Sequence, residues 1–226
     1  MQGKEKKTPR LFADLCIRPA SHKEAVHMIR TLIGFGYRII GVEARNDIDI
    51  ESLRKEFGGG ILQRITLRVN NKKEFNRVVS KKLVNNNIIV SVETRSLEVA
   101  RLAAVSKKVD LLTLVPGLEK AVDKSTRTLL SQKGFGGIEI VLSYITRNKE
   151  NRSHIRVWKY YYQSLRRASG YMIPATVSSC AESVFELWHP MQIVGFASLF
   201  DVPMETTRSW ITNVSRVLGR IHYSAR

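Results

Sequence analysis

Residues 88–95 read Ile-Ile-Val-Ser-Val-Glu-Thr-Arg, a run that is apolar at odd and even positions alike. A strand with one wet face alternates, because successive side chains point to opposite sides of the sheet. This run does not alternate over Ile88–Val92, so both of its faces need cover, and Gly137–Leu142 is of the same kind. Strands buried on both faces belong to parallel sheets sheathed in helices. Residues 39–45, Ile-Ile-Gly-Val-Glu-Ala-Arg, echo the first run and end in the same Val-Glu-x-Arg. In an extended chain Glu93 and Arg95 point one way, as do Glu43 and Arg45. Chance similarity between strands of one sheet accounts for the echo as well as a shared role does.

Outward from these two runs, short β-branched segments alternate with segments of helical period along nearly the whole chain. The pattern predicts strands at Leu11–Ile17, Arg38–Glu43, Ile61–Val69, Ile88–Glu93, Leu111–Leu114, Gly137–Leu142 and Met172–Ser178. It predicts helices near 22–34, 49–57, 73–84, 96–106, 121–132, 151–169, 190–199 and 203–218. Ser21, Asn71 and Ser96 stand where helix N-caps belong, and Pro190 and Pro203 where first-turn prolines do. Glycines 58–60, and Gly134, Gly136 and Gly137, precede strands as helix stops rather than phosphate cradles. Seven to eight βα units in 226 residues suit a compact TIM-barrel-like α/β fold, with an open doubly wound sheet as the alternative. No linker divides the chain. The expected organisation is a flexible basic arm over residues 1–10 (Lys4, Lys6, Lys7 and Arg10 against Glu5) and a single domain over 11–226.

The chain carries 37 Lys and Arg against 20 Asp and Glu, a net charge of +17, with 43% apolar residues for its core. Such an excess spread through a globular chain favours nucleic acid or an anionic surface as partner. One predicted helix organises it. Between Asn151 and Gly170, Arg152, Arg156, Lys159, Gln163, Arg166 and Arg167 fall within about 100° of arc. Ile155, Trp158, Tyr161, Tyr162, Leu165 and Ala168 are read as the opposing, apolar side, and the segment has no Asp or Glu. Arg152 and Arg156, at i,i+4, cost about 0.2–0.5 kcal/mol by repulsion, so the stripe is expected to face an anion from a partner. Arg95, Arg101, Lys120 and Lys133 are weaker candidates. Among the interleaved aromatics, Trp158, Tyr161 and Tyr162 are read as core or subunit-interface packing. Tyr160, beside the stripe, is the candidate to stack on a base.

Cys16 and Cys180 lie in apolar runs and are expected as buried free thiols of a reducing compartment. The chain has no apolar run of membrane-spanning length and no signal-peptide pattern, so a cytoplasmic protein without membrane association is expected. Histidine spacing offers no metal site, and no Walker, nucleophile-elbow or dinucleotide motif is present. Asp14, Glu43, Glu93 and Glu139, on four predicted strands, could converge on Mg²⁺. The alternative is that each pairs with an arginine in a polar barrel mouth, where Arg18, Arg45, Arg95 and Arg147 would form a guanidinium ring suited to phosphate. A metal-dependent phosphoesterase using those carboxylates, and a general nucleic-acid scaffold, thus stand beside an RNA-binding subunit.

Several segments resemble the ribonuclease P protein component three family, the archaeal counterparts of the eukaryotic p-thirty subunit. They are Phe12-Ala13-Asp14-Leu15; Gly36-Tyr37 leading into Ile39-Ile40-Gly41-Val42; Asp110-Leu111-Leu112; Val177-Ser178-Ser179-Cys180-Ala181-Glu182; Glu186-Leu187-Trp188-His189-Pro190; and Leu199–Pro203. The resemblance runs over about residues 11 to 220. Trp188 replaces the family's arginine, Gln192 its acidic residue, and an arginine is missing near Ile145 with Arg147 close by. It implies a TIM-barrel-like fold related to phosphoesterases of the polymerase and histidinol phosphatase type but without their histidine ligands. It also implies a subunit of an endoribonuclease whose RNA removes the 5′ leader of precursor tRNA, with no catalytic centre and no cofactor in the protein. The partners implied are ribonuclease P RNA with its Mg²⁺, precursor tRNA indirectly, and other protein subunits, one as a direct pair.

Overall fold

In the computed structural model the chain is described over residues 11–43, 47–80, 88–147, 151–212 and 214–219, with backbone alone at 151–153. The basic arm, Arg45, residues 81–84 of the third predicted helix and the side chain of Arg152 lie outside the described residues. Seven strands run in chain order: β1 (Phe12–Ile17), β2 (Tyr37–Glu43), β3 (Ile61–Arg68), β4 (Ile88–Glu93), β5 (Leu111–Thr113), β6 (Gly137–Val141) and β7 (Ala175–Ser178). Each pairs in parallel with the next. Between β1 and β7 the seam closes through a single parallel bridge, Ile17 to Ala181, where the Arg18 amide donates to the Ala181 carbonyl at 2.7 Å. The result is a nearly closed barrel.

Helices α1 (His22–Gly34), α2 (Ile50–Phe57), α3 (Lys72–Ser80), α4 (Leu97–Val105) and α5 (Lys124–Lys133) follow the first five strands. After β6 come a short α6 (Ser143–Thr146) and the long α7 (Asn151–Gly170). After β7 come α8 (Pro190–Ser198), α9 (Met204–Thr212) and α10 (Val214–Val217). The starts follow side-chain chemistry. Ser21, Asn71 and Ser96 accept from the amides of Glu24, Glu74 and Val99, satisfying donors that a helix N-terminus leaves open. The last predicted strand begins three residues late. Met172 adopts φ 50°, the Ile173 amide turns back to the Ala168 carbonyl, and Pro174 brings no donor to the ladder. Left-handed φ and a missing N–H both exclude a strand there.

The inside of the barrel is layered. Ala13, Leu15, Ile39, Leu62, Ile89 and Leu111 pack together, and Val214, Val217 and Leu218 close that end. Two residues further along β3 to β6, the same face carries Arg64, Ser91, Thr113 and Glu139, all buried. The floor is therefore apolar and the layer above it polar. Gly60 is required by close approach, since a Cβ there would sit 1.9 Å from the Arg38 carbonyl oxygen. Gly58 ends α2 at φ 94° with its amide on the Arg54 carbonyl, a helix stop rather than a phosphate loop.

The two cysteines are not free thiols. Cys16, on β1, and Cys180, just past β7, form a buried disulfide across the seam, with Cα atoms 4.5 Å apart. Apolar flanks gave no sign of it, because the pairing depends on β1 and β7 meeting across a sequence separation of 164.

Candidate nucleic-acid interface

The four strand carboxylates are drawn into the barrel, and three of them find arginines there. Both oxygens of Glu139 accept from Arg64, each at 2.6 Å; Arg64 also donates to the Leu15 carbonyl at 2.8 Å and to Thr113 and Thr66. Burial alone would raise the Glu139 pKa, but the Arg64 charge and the hydrogen bonds hold it below its ordinary value. One layer up, Glu43 accepts from Arg18 at 3.0 Å, Thr66 at 2.7 Å and Arg68 at 3.1 Å. Its pKa is likewise lowered, burial being outweighed by Arg18 and these bonds. Glu93 lies 3.4 Å from Arg18 and 3.7 Å from Arg68.

Asp14 is the exception, for it meets backbone instead of arginine. The amides of Cys16 and Ser179 donate to it at 3.1 and 3.2 Å. Burial raises its pKa to about 6 against those bonds. Each carboxylate is thus engaged within the protein, Glu43 and Glu93 sharing Arg18 and Arg68. Among the described residues no three His, Cys, Asp or Glu side chains are grouped as metal ligands would be. Arg147, the other mouth arginine, is held by the Cys180 carbonyl at 2.6 Å and by Glu182 and Glu186 at 2.8 and 3.2 Å. Among the described residues, Arg18, Arg64, Arg68 and Arg147 are thus neutralised at the mouth by carboxylates, and much of the excess positive charge is presented elsewhere.

The long α7 presents part of it, but rotated from the sequence expectation. Its buried face holds Tyr160, Tyr161, Ser164, Leu165 and Ala168. The Tyr160 hydroxyl donates to the Leu114 carbonyl at 3.1 Å and accepts from the Val141 amide at 3.2 Å; the Tyr161 hydroxyl donates to the Val141 carbonyl at 2.7 Å. Tyr160 is therefore core and offers no ring to a base, overturning its reading as the stacking candidate. Ile155, Trp158 and Tyr162, expected on the covered side, stand exposed at 79%, 47% and 48%. Helical geometry explains part of the difference, since at 100° per residue Ile155 and Tyr162 fall only about 20° and 40° from Arg166 and so beside the stripe. For Tyr160 the reason is that strand-end carbonyls and amides satisfy its hydroxyl, so it can enter the core. The small Ser164 and Ala168, one and two turns on from Tyr160, were the signal for the true buried face.

The predicted cations are spread around the barrel. Arg156, Lys159 and Arg166 lie exposed on α7. Arg156 also donates to the Pro116 carbonyl, and the half-buried Arg167 to the Glu119 carbonyl, both at 3.2 Å. Lys120 is exposed in the segment that these two arginines touch, and Arg95 is exposed at the end of β4. Arg101 is committed to Asp123 and Thr126. Lys133, at the end of α5 and so at the opposite end of the barrel, donates to the Val109 carbonyl at 2.7 Å.

The departures at Trp188 and Gln192 have local roles. The Tyr37 hydroxyl donates to the Trp188 carbonyl at 2.9 Å, and the indole packs 5.5 Å from the Phe196 ring. Gln192 accepts from the His189 amide at 2.8 Å while His189 Nδ1 accepts from the Met191 amide at 3.2 Å, so the two residues cap α8 reciprocally.

Comparisons with known proteins agree with this architecture. The family described as RNase P subunit p30 matches residues 11–225. Ribonuclease P protein component 3 of Aeropyrum pernix is 25% identical over 190 residues, spanning 84% of this chain and 88% of that protein. A chain in the cryo-EM structure of archaeal ribonuclease P with mature tRNA shares the fold, with a TM-score of 0.72 at 18% identity over 92% of this chain and 90% of that one.

Proposed function

This chain belongs to the RNase P subunit p30 family, and from that premise we propose that it is a protein subunit of ribonuclease P that binds and stabilises the catalytic RNA. The observation that carries the reading is the family match along nearly the whole described barrel. The site's chemistry supports it, since the strand carboxylates are held by arginines and backbone amides while exposed cations remain on α7. Arg156, Lys159, Arg166 and Arg167, with Arg152, would neutralise phosphates where RNA helices crowd together; Arg95 and Lys120 would extend that contact. Arg101 and Lys133, already engaged within the protein, would contribute less. Binding of this kind is backbone electrostatics and shape, not base-edge readout.

Cleavage of the precursor tRNA leader would then be the RNA's chemistry, with Mg²⁺ bound by RNA phosphates and no cofactor held by the protein. Other protein subunits, one of them a direct pair, would complete the particle in the cytoplasm. Among the described residues no helix is long and apolar enough to cross a membrane. The test is an omission experiment: ribonuclease P RNA and the remaining subunits are assayed for precursor-tRNA cleavage at limiting Mg²⁺, with and without this chain. A gain in rate on adding it is expected. No gain, with the chain folded and the other subunits active, would overturn the proposal.

A further inference from the structure

The exposed face of α7 carries rings between cations. Trp158 and Tyr162 are i,i+4 neighbours, with Lys159 and Arg166 on the same outward surface, so the four side chains cover adjoining turns. The indole of Trp158 is set against the buried rings of Phe200 and Phe196, with centroids 5.8 and 6.1 Å away, and nearly half of it faces solvent. One side is thus anchored and the other open. The Arg166 guanidinium lies 5.1 Å from the Tyr162 ring centroid, and its Nη1 donates to the Tyr162 hydroxyl at 2.7 Å. That holds the second ring in place beside a charge. Asp201, 3.6 Å from Arg166, is an exposed acid, and α7 itself has none.

We propose that Trp158 and Tyr162 form a stacking platform for unpaired bases of an RNA strand, whose phosphates run over Lys159 and Arg166. Ring faces take any base, and flanking cations take the backbone; nonspecific single-strand sites are built from that combination. The cores of protein interfaces are depleted in lysine, whereas here an exposed Lys159 flanks the rings. Anchoring lowers the entropy lost on binding, because Trp158 is already packed. The inference rests on the chain being an RNA-binding subunit, and adds that the RNA it meets at α7 includes unstacked nucleotides.

The experiment titrates the full chain with a twelve-nucleotide oligoadenylate and with a blunt-ended RNA duplex, over a range of salt. Trp158→Ala and Tyr162→Ala are expected to weaken oligoadenylate binding by about 5- to 150-fold each. They should leave the duplex affinity and the salt slope nearly unchanged. Trp158→Phe should restore most of the affinity, and thermal melts of each variant verify that the fold survives. Bound oligoadenylate should also quench wild-type fluorescence by an amount that Trp158→Phe removes, a readout that needs no truncation. If both alanine variants bind oligoadenylate as the wild type does, the platform is overturned while the RNA-binding reading stands. If they instead lose only a protein subunit of the particle, the face belongs to protein and the platform is again overturned. If the wild type binds neither RNA, both readings fail together.

Discussion

Arg64 and Glu139 are fully buried opposite charges in a layer where neighbouring strands supply hydroxyls and a carbonyl. Desolvating both is costly and the mutual attraction offsets it only while the pair is intact, so removing one partner strands the other. Glu139→Leu or Arg64→Met alone should each cost about 3–5 kcal/mol of unfolding free energy. The double variant should cost clearly less than the sum, as a denaturant double-mutant cycle would measure; additive losses would mean that the two charges do not support each other. Asp14 predicts a pH effect of opposite sign to an ion-paired carboxylate. Its folded pKa of about 6 stands above the ordinary 3.8, so the folded state takes up a proton before the unfolded state does. Stability should therefore rise as pH falls from 7 towards 4.5, by something on the order of 3 kcal/mol at most. Asp14→Asn should flatten that part of the profile relative to wild type. Glu43 and Glu139, with lowered values, act on stability only below about pH 4.5, where protonating them weakens the fold, so the two windows separate. A wild-type profile matching that of Asp14→Asn between pH 4.5 and 7 would refute the assignment.

On the scale of elements, α7 holds the barrel through tyrosine hydroxyls and shows its cations outside. Replacing Lys159, Arg166 and Arg156 with glutamine should lower RNA affinity and flatten the dependence of log K on log salt by roughly 0.7–0.9 per lost phosphate contact; salt titrations of the variant and wild type would compare slopes, and equal slopes would exclude α7 as a phosphate-binding face. Tyr160→Phe acts on the other side of the helix. It leaves the Leu114 carbonyl and Val141 amide without the hydroxyl they share, at about 1–3 kcal/mol, with RNA affinity unchanged. These two faces also mark how far the sequence could be read. Strand positions and helix starts were legible because continuous β-branched apolar runs and capping chemistry are local. Glu93 and Glu43 were legible as arginine-paired for a similar reason: ends of parallel strands meet at one mouth. The burial of Tyr160 was not, because whether a tyrosine enters a core depends on which carbonyls at the ends of β5 and β6 lie within reach of its hydroxyl. Arg101 shows the same limit, since its commitment to Asp123 joins two helices that no local pattern connects.

For the whole molecule, the weak place is the seam. Six strand pairs are ladders, while β1 and β7 are joined by one bridge, the Arg18 amide, and the amides that Asp14 receives from both sides. The Cys16–Cys180 disulfide spans that seam and closes a loop containing most of the domain. Cross-linking residues so distant in sequence removes much of the unfolded chain's freedom, and native bonds of this sort contribute about 2–5 kcal/mol. For a domain of this size each kcal/mol moves the midpoint by about 2–4 °C. Thermal unfolding of the oxidised chain should therefore fall by several degrees, up to about 20 °C, when a reductant is added, whereas Cys16→Ala/Cys180→Ala should melt at one temperature with or without reductant. The barrel should still fold when reduced, because the seam keeps its backbone contacts and the floor formed with α10 is independent of the sulfurs. An oxidised wild type whose midpoint does not move on reduction would show that backbone pairing, and not the covalent link, holds β1 against β7.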